Sequence, residues 1–259
     1  MNRLRMAVWM LLAGAPALAV AKSSTPVELL FAAEDDWYPY SGVRDGQAVG
    51  LTIDIMRAIY QQKGVVVRFQ PLSYSRCMEV ARTARYAGCF TTSRNDFYEP
   101  YYRYAQLPLL EGQISIYSRS NRPERDLDMK SLEGQEVGVV LSYGYGKEFD
   151  ANAAIRKEYS TREVNAFRKL KAGRIPYVVA WEGTVNHMLR QNPELRGWVK
   201  PVGKLAPGPV YVSFSKAHPD VERLVSRCGW EMKVPSRSNS APVRSTTAPE
   251  GARSSRRER

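Results

Sequence analysis

VELLFAAEDDWYPY at residues 27–40 and LTIDIMRAIYQQKG at residues 51–64 set the pattern that the rest of the chain repeats. Val27 to Ala33 is a short apolar run, which predicts a buried strand, and the polar, aromatic turn from Glu34 to Tyr40 ends it. After the turn at Asp45-Gly46, Leu51, Ile55, Ala58 and Ile59 recur at helical spacing over Leu51 to Lys63, with Gly64 as the helix C-cap. Val65 to Phe69 reads as the next strand, about Ser75 to Arg85 as a second helix, and the segment through Cys89 to Thr92 as a third strand. Strand, helix, strand, helix, strand predicts a parallel sheet with helices on its faces.

Outward from this unit, Ile114 to Tyr117 alternates like a strand passing to a second lobe. Val137 to Leu141 is a strand, the turn Ser142-Tyr143-Gly144-Tyr145-Gly146 follows, and a helix begins at Lys147. Val164 to Ala172 reads as a helix, Tyr177 to Trp181 as a strand and Thr184 to Gln191 as a helix. Val210 to Phe214 reads as a strand returning to the first unit. The fold class expected is therefore α/β: two α/β lobes joined by a double crossover. The organisation is residues 22–116 for the first lobe, 117–204 for the second and 205–230 for the return.

The two ends differ from this body. Arg3 and Arg5 precede an uncharged apolar run from Met6 to Ala21 that closes on Ala19-Val20-Ala21, the pattern of a cleaved export signal over residues 1–21. An uncleaved anchor is the alternative, although a span needs ~20 predominantly apolar residues. No later stretch is long or apolar enough to cross a bilayer, so the mature chain reads as soluble and exported, not integral to the membrane. Residues 231–259 are rich in Ser, Pro, Thr, Ala and Arg without apolar periodicity, which predicts a disordered tail. Of the net charge of +12, residues 1–21 carry +2 and residues 231–259 carry +4, leaving +6 on the body. That mild excess, with no basic stripe interleaved with aromatics, argues against nucleic-acid binding.

Three cysteines in an exported chain leave room for one internal disulfide. Cys77 on a predicted helix and Cys89 on the next predicted strand are the pair to bridge, with two buried free thiols as the alternative and Cys228 unpaired.

The stretches Asp36-Trp37-Tyr38-Pro39-Tyr40, Gly50 to Ile55, Ala87 to Arg94, Ser131 to Val139 and Leu170 to Ala180 occur in an order that resembles the family-3 extracellular solute-binding proteins, periplasmic receptors of polar amino-acid uptake. The resemblance covers about residues 27–225. It implies a two-lobed periplasmic-binding-protein fold with the ligand in the cleft, hinge closure upon it, and a periplasmic location. The partners it implies are a small polar solute and an ABC permease or membrane sensor. It implies no cofactor, and a monomer.

Carried over residue by residue, the resemblance puts Trp37, Tyr38 and Tyr40 in an aromatic wall and Tyr74 beside them, with packing around Pro39 as the other reading for at least one of the three. A ligand carboxylate would call for an arginine just beyond Thr92. Tyr98 stands at the usual arginine position, and Arg94 is earlier on the same loop, facing either the cleft or the surface. Ser142, Tyr143 and Gly144 match the second lobe's anion-holding turn. The acidic partner of a ligand amino group belongs at the end of the strand Tyr177 to Ala180, where Trp181 stands and Glu182 follows. Both anchors are altered, which widens the expected ligand from an amino acid to related polar solutes. The resemblance also implies a long carboxyl-terminal helix followed by another; here the helix runs from Asp220 to about Arg227 and gives way to Gly229-Trp230, which would expose an apolar face of the first lobe.

The competing reading is an exported dehydratase-like enzyme on the same fold. It needs a cleft acid or base, for which Glu182, Glu99 and His187 are the candidates. His187 within a helix and His218 before Pro219 read better as surface residues. The sequence has no nucleophile elbow, no metal-binding histidine spacing and no phosphate loop.

Overall fold

Six apolar residues, Val27 and Leu29 to Ala33, suit the inside of a sheet. In the computed structural model, which describes residues 27–227, they form β1 (Val27–Glu34), its last four residues buried. A three-stranded antiparallel layer follows: β2 (Asp36–Trp37), β3 (Ser41–Arg44) and β4 (Gln47–Val49). Helix α1 (Leu51–Gln61) buries Ile53, Met56, Ile59 and Tyr60 on one face and passes through Gly64, at φ 65°, into β5 (Val65–Leu72). Helix α2 (Tyr74–Val80) is shorter than the Ser75 to Arg85 pattern predicts. The chain must return to the sheet for β6 (Gly88–Thr92), and a disulfide between Cys77 and Cys89, Cα atoms 6.3 Å apart, ties the helix to that strand. Strands β7 (Tyr102–Tyr104) and β8 (Leu110–Gly112) complete this stretch.

The second sheet begins with β9 (Ile114–Arg119) and continues through β10 (Glu136–Val140), α3 (Lys147–Ala151), β11 (Arg156–Ser160), α4 (Glu163–Lys171), β12 (Tyr177–Trp181), α5 (Glu182–Gln191) and β13 (Val199–Lys204). Its order is β11-β10-β12-β9-β13, parallel across the first three and antiparallel on both sides of β9. Helix α5 starts at Glu182, two residues before the apolar spacing signals it, because a helix can begin on polar residues that face away from the core. Strand β14 (Gly208–Ser215) then rejoins the first sheet, whose order is β5-β1-β6-β14-β7 with β8 on β14. Strands β5, β1 and β6 are parallel, and β14 is antiparallel to β6. Helix α6 (Val221–Arg227) lays Leu224, 4% exposed, onto the first core, with Val221 and Val225 beside it.

This is the two-lobed α/β architecture. The first core centres on Phe31, whose ring meets Tyr60, Phe90 and Phe214 at 5.9–6.3 Å. The second packs Phe167 and Leu170 of α4 against Val178 and Tyr117. The chain crosses between sheets at Gln113 and again at residues 205–207. The Gln113 Nε2 donates to the carbonyls of Ile114 and Leu205, at 2.7 and 2.8 Å, and so binds the two crossings together. Gly88 lies directly against β14: a Cβ there would stand 1.9 Å from the Ser213 carbonyl oxygen. Among the described residues no helix is long and apolar enough to cross a membrane. The expected export signal, Cys228 and the expected tail lie outside the described residues.

Candidate functional site

In open α/β sheets the loops beyond the carboxyl ends of parallel strands converge, and ligands bind there. Here those ends face each other across the lobes: Glu34 to Asp36 after β1 and Thr91-Thr92 of β6 on one side, Leu141 to Tyr145 after β10, Thr161 to Glu163 after β11 and Trp181 of β12 on the other.

A polar seam crosses the gap. Arg162 at the start of α4 forks onto Asp35, Nη1 to Oδ1 at 2.9 Å and Nη2 to Oδ2 at 3.3 Å, and its Nη1 also lies 3.0 Å from Asp36 Oδ2. The Tyr143 hydroxyl donates to the Glu34 carboxyl. Glu34 is 5% exposed, and loss of water pushes its carboxyl up to about 8, with Asp36, Asp35 and Glu163 adding to the rise and the Tyr143 hydroxyl opposing it. Desolvation also pushes Glu163 up to about 8, against the pull of its 2.9 Å hydrogen bond from Thr184 Oγ1. These groups surround a pocket of about 70 Å3.

Beside this seam the centre of the cleft is filled with rings. Trp181 packs edge-on against Trp37 at 5.0 Å and Tyr40 at 6.1 Å, while Tyr143 meets Tyr74 at 4.9 Å. The space left among Glu34, Trp37, Tyr74, Thr91, Tyr143 and Trp181 is about 10 Å3, the room of one water. Thr91 enters this centre through a bulge. The β14 register passes from Tyr211 opposite Thr92 to Val212 opposite Phe90, so Thr91 has no partner and takes φ 64°, a costly conformation for a β-branched residue. Such strain is commonest at binding sites.

Two larger spaces flank the centre, each walled by both lobes. One of about 440 Å3 lies between Tyr38 and α5, where Tyr38 stacks on His187 at 5.1 Å and 12°; burial lowers that imidazole's pKa, and the nearby Arg190 adds to the effect. The other, of about 670 Å3, opens between the loop after β6 and the surface formed by β10, α3 and β11.

The structure thus brings Trp37, Tyr38, Tyr40, Tyr74 and Tyr143 together at the lobe boundary. Ser142, at φ 69°, sits there too and lines the same cavity as Tyr98 from the opposite lobe. Other residues are directed elsewhere. Thr92 is fully buried and its hydroxyl donates to the Tyr211 carbonyl at 3.2 Å, inside the first sheet. Arg94 borders the 670 Å3 space, but its guanidinium is held by its own lobe, donating to the Ala105 carbonyl at 2.7 Å and lying 4.2 Å from the Tyr211 ring centre. Glu182 accepts from the Ser115 hydroxyl at 2.7 Å, behind Trp181 and away from the cleft. Glu99 lies on the rim of the 670 Å3 space. The anion-holding turn is engaged within the protein: the Tyr145 N–H donates to the Asp150 carboxylate, at 3.0 Å to Oδ1, and α3 has only five residues. Sequence reasoning did not single out Arg162 and Glu163, or Glu34 as a buried acid. The available signal was position, since all three stand where a parallel strand ends.

Residues 29–205 match the sequence profile of the bacterial extracellular solute-binding proteins, family 3. No curated protein sequence matches the chain. Among solved structures, the truncated arginine-bound form of the arginine-binding protein from T. maritima is similar at 18% identity and a TM-score of 0.62, over 78% of this chain and 92% of that one. A histidine kinase sensor domain with similarity to periplasmic binding proteins has a TM-score of 0.67 at 20% identity, over 78% and 86%. The arginine-, lysine- and histidine-binding protein from Geobacillus stearothermophilus has a TM-score of 0.61 at 16% identity, over 78% and 87%. At these identities the likeness is one of fold.

Proposed function

The chain belongs to the bacterial extracellular solute-binding proteins, family 3, and from that premise we propose that it is exported to the periplasm, where its two lobes close on a small polar solute, an amino acid or a related compound, for delivery to an ABC permease or a membrane sensor. The observation that carries this reading is the seam itself. Arg162, Tyr143 and Trp181 from one lobe contact Asp35, Glu34 and Trp37 from the other, so any solute in the cleft touches both lobes and is coupled to their hinge. The two crossings tied by Gln113 supply that hinge. The sensor-domain neighbour supports the sensing branch as well as the uptake branch.

A thermal-shift screen of the purified protein against amino acids, small organic acids and polyamines tests the proposal. A solute at ~100 times its dissociation constant adds ~2.7 kcal/mol of stability. A cooperative melt that no solute raises would count against the receptor reading.

One observation favours the enzyme alternative: Glu34 and Glu163 keep their protons toward neutral pH, as a general acid must. Both face the pocket of about 70 Å3, which holds a few waters and no substrate until the lobes part. Turnover of a bound solute that is lost in Glu34→Gln would establish that alternative.

A further inference from the structure

The 670 Å3 space has the size of a small-molecule site and sits apart from the filled centre, with the Tyr143 ring as the wall between them. Its lining is aromatic from both sides. Phe97 of the first lobe, 70% exposed, faces a surface to which the second lobe contributes Tyr159, 53% exposed, Leu141, 44% exposed, and the buried Tyr145. Large apolar side chains left this open, on two lobes and around one cavity, are unusual for a surface that water alone contacts.

Most of the charged groups around the cavity are satisfied by the protein, the Glu99 carboxylate on its rim excepted. Arg94 is held by the Ala105 carbonyl and the Tyr211 ring, and Lys157 donates to the Asn152 carbonyl at 2.9 Å and lies 5.3 Å over the Phe149 ring. Asp150 accepts the Tyr145 N–H. Lys147 and Asp96, 3.6 Å apart and both largely exposed, pair across the mouth. Recognition in this cavity therefore falls to rings more than to net charge. The polar groups beside the rings are the Tyr98 and Ser142 hydroxyls, one from each lobe, which line the same cavity.

We propose that this cavity is a binding site for a planar aromatic solute of one or two rings, held between Phe97 and Tyr159 with its polar substituent toward Ser142 and Tyr98. Ring faces and edges on both walls suit offset and edge-to-face contact with a flat ligand and suit an aliphatic chain poorly. Because Phe97 and Tyr159 belong to different lobes, the solute would also clamp the closed form. The inference rests on the receptor reading above and names the solute class and the place it sits.

Titration calorimetry of the purified protein tests it, with indole, 4-hydroxyphenylacetate and tryptamine as ring probes of neutral, negative and positive charge. Cyclohexanecarboxylate, arginine and glutamine serve as non-aromatic controls. The expected result is saturable binding of at least one ring probe, weakened about tenfold by Phe97→Ala and by Tyr159→Ala. Both side chains are more than half exposed, so both variants should melt where the parent does, and circular dichroism checks this. Arginine or glutamine binding that neither variant alters, with no ring probe bound, would overturn the aromatic site and leave the receptor reading standing. Ring binding that neither variant weakens would also overturn the site. Failure of every probe and control would overturn the aromatic site, and the broader thermal-shift screen then decides the receptor reading separately.

Discussion

Replacing Glu34 with glutamine tests the electrostatics of the cleft through stability alone. The carboxyl is 5% exposed and pushed up to about 8, from 4.5 when free of its surroundings. Between those values the unfolded chain has released the proton and the folded chain still holds it. The folded state thus binds more protons, and stability falls as pH rises across the window. At roughly 1.4 kcal/mol per pH unit the cost is near zero at pH ~4, about 3 kcal/mol at pH ~7, and levels off at about 5 kcal/mol above pH ~8. In Glu34→Gln the side-chain amide has no proton to lose and can still accept from the Tyr143 hydroxyl, so the variant should escape this cost. Glu163 shifts in the same direction but is present in both proteins and cancels. Urea melts of parent and variant at several pH values between ~4 and ~9 should show the variant's advantage growing with pH and then reaching a plateau. A stability difference that stays constant across that range would refute the reasoning, because it would mean that Glu34 ionises in the folded protein as it does in water.

Arg162→Ala should loosen the closed form: the fork onto Asp35 crosses the lobes, and with the arginine side chain 40% exposed its loss costs about 1 kcal/mol. X-ray scattering should show a larger radius of gyration, and an unchanged one would argue that the rings alone hold the lobes. Joint replacement of Cys77 and Cys89 by alanine opens a crosslink with a sequence separation of 12 and should cost about 3 kcal/mol in denaturant melts; an unshifted midpoint would mean that the bridge adds nothing to stability. Gly88→Ala would drive a Cβ to 1.9 Å from the Ser213 carbonyl, so a loss of at least about 2 kcal/mol is expected, and a neutral substitution would show that β6 and β14 can part without penalty.

The architecture was legible because it rests on local patterns that survive packing. Val27 to Ala33 and Val137 to Leu141 are apolar enough to be interior strands, and α4 keeps its buried face at helical spacing; α1 forms where the pattern predicts, but it buries Ile53, Met56, Ile59 and Tyr60 while Leu51 and Ala58 of the expected face are exposed. Where a pattern depended on distant partners it was less readable. Nothing local in Tyr74 to Arg85 signals that α2 stops at Val80, since the stop serves a return to β1 that sequence does not show. The aromatic side of the cleft was visible in Trp37, Tyr38 and Tyr40, because three rings on one turn are conspicuous. Its polar side was not, because Arg162 looks like any surface arginine until the first lobe brings Asp35 and Asp36 within reach. Glu34 was hidden for the same reason: its hydrogen-bond partner, Tyr143, is 109 residues away. The bulge at Thr91 depends on a register with β14 that no window of residues 88–92 contains.

The double crossing has a consequence for how the chain acquires its shape. The second sheet is complete within one contiguous stretch, β9 to β13, whereas the first holds β6 beside β14 through contacts such as Ser213 Oγ to the Cys89 carbonyl, 124 residues apart. Closing a loop of that length is slow relative to local pairing. As the chain emerges, the second lobe can assemble while the first still lacks the strand beside β6. The early residues of the first lobe then wait with an open β6 edge until β14 arrives. Once folded, the second lobe shortens that wait, since it holds Gln113 and Leu205 together and so delivers β14 to its place.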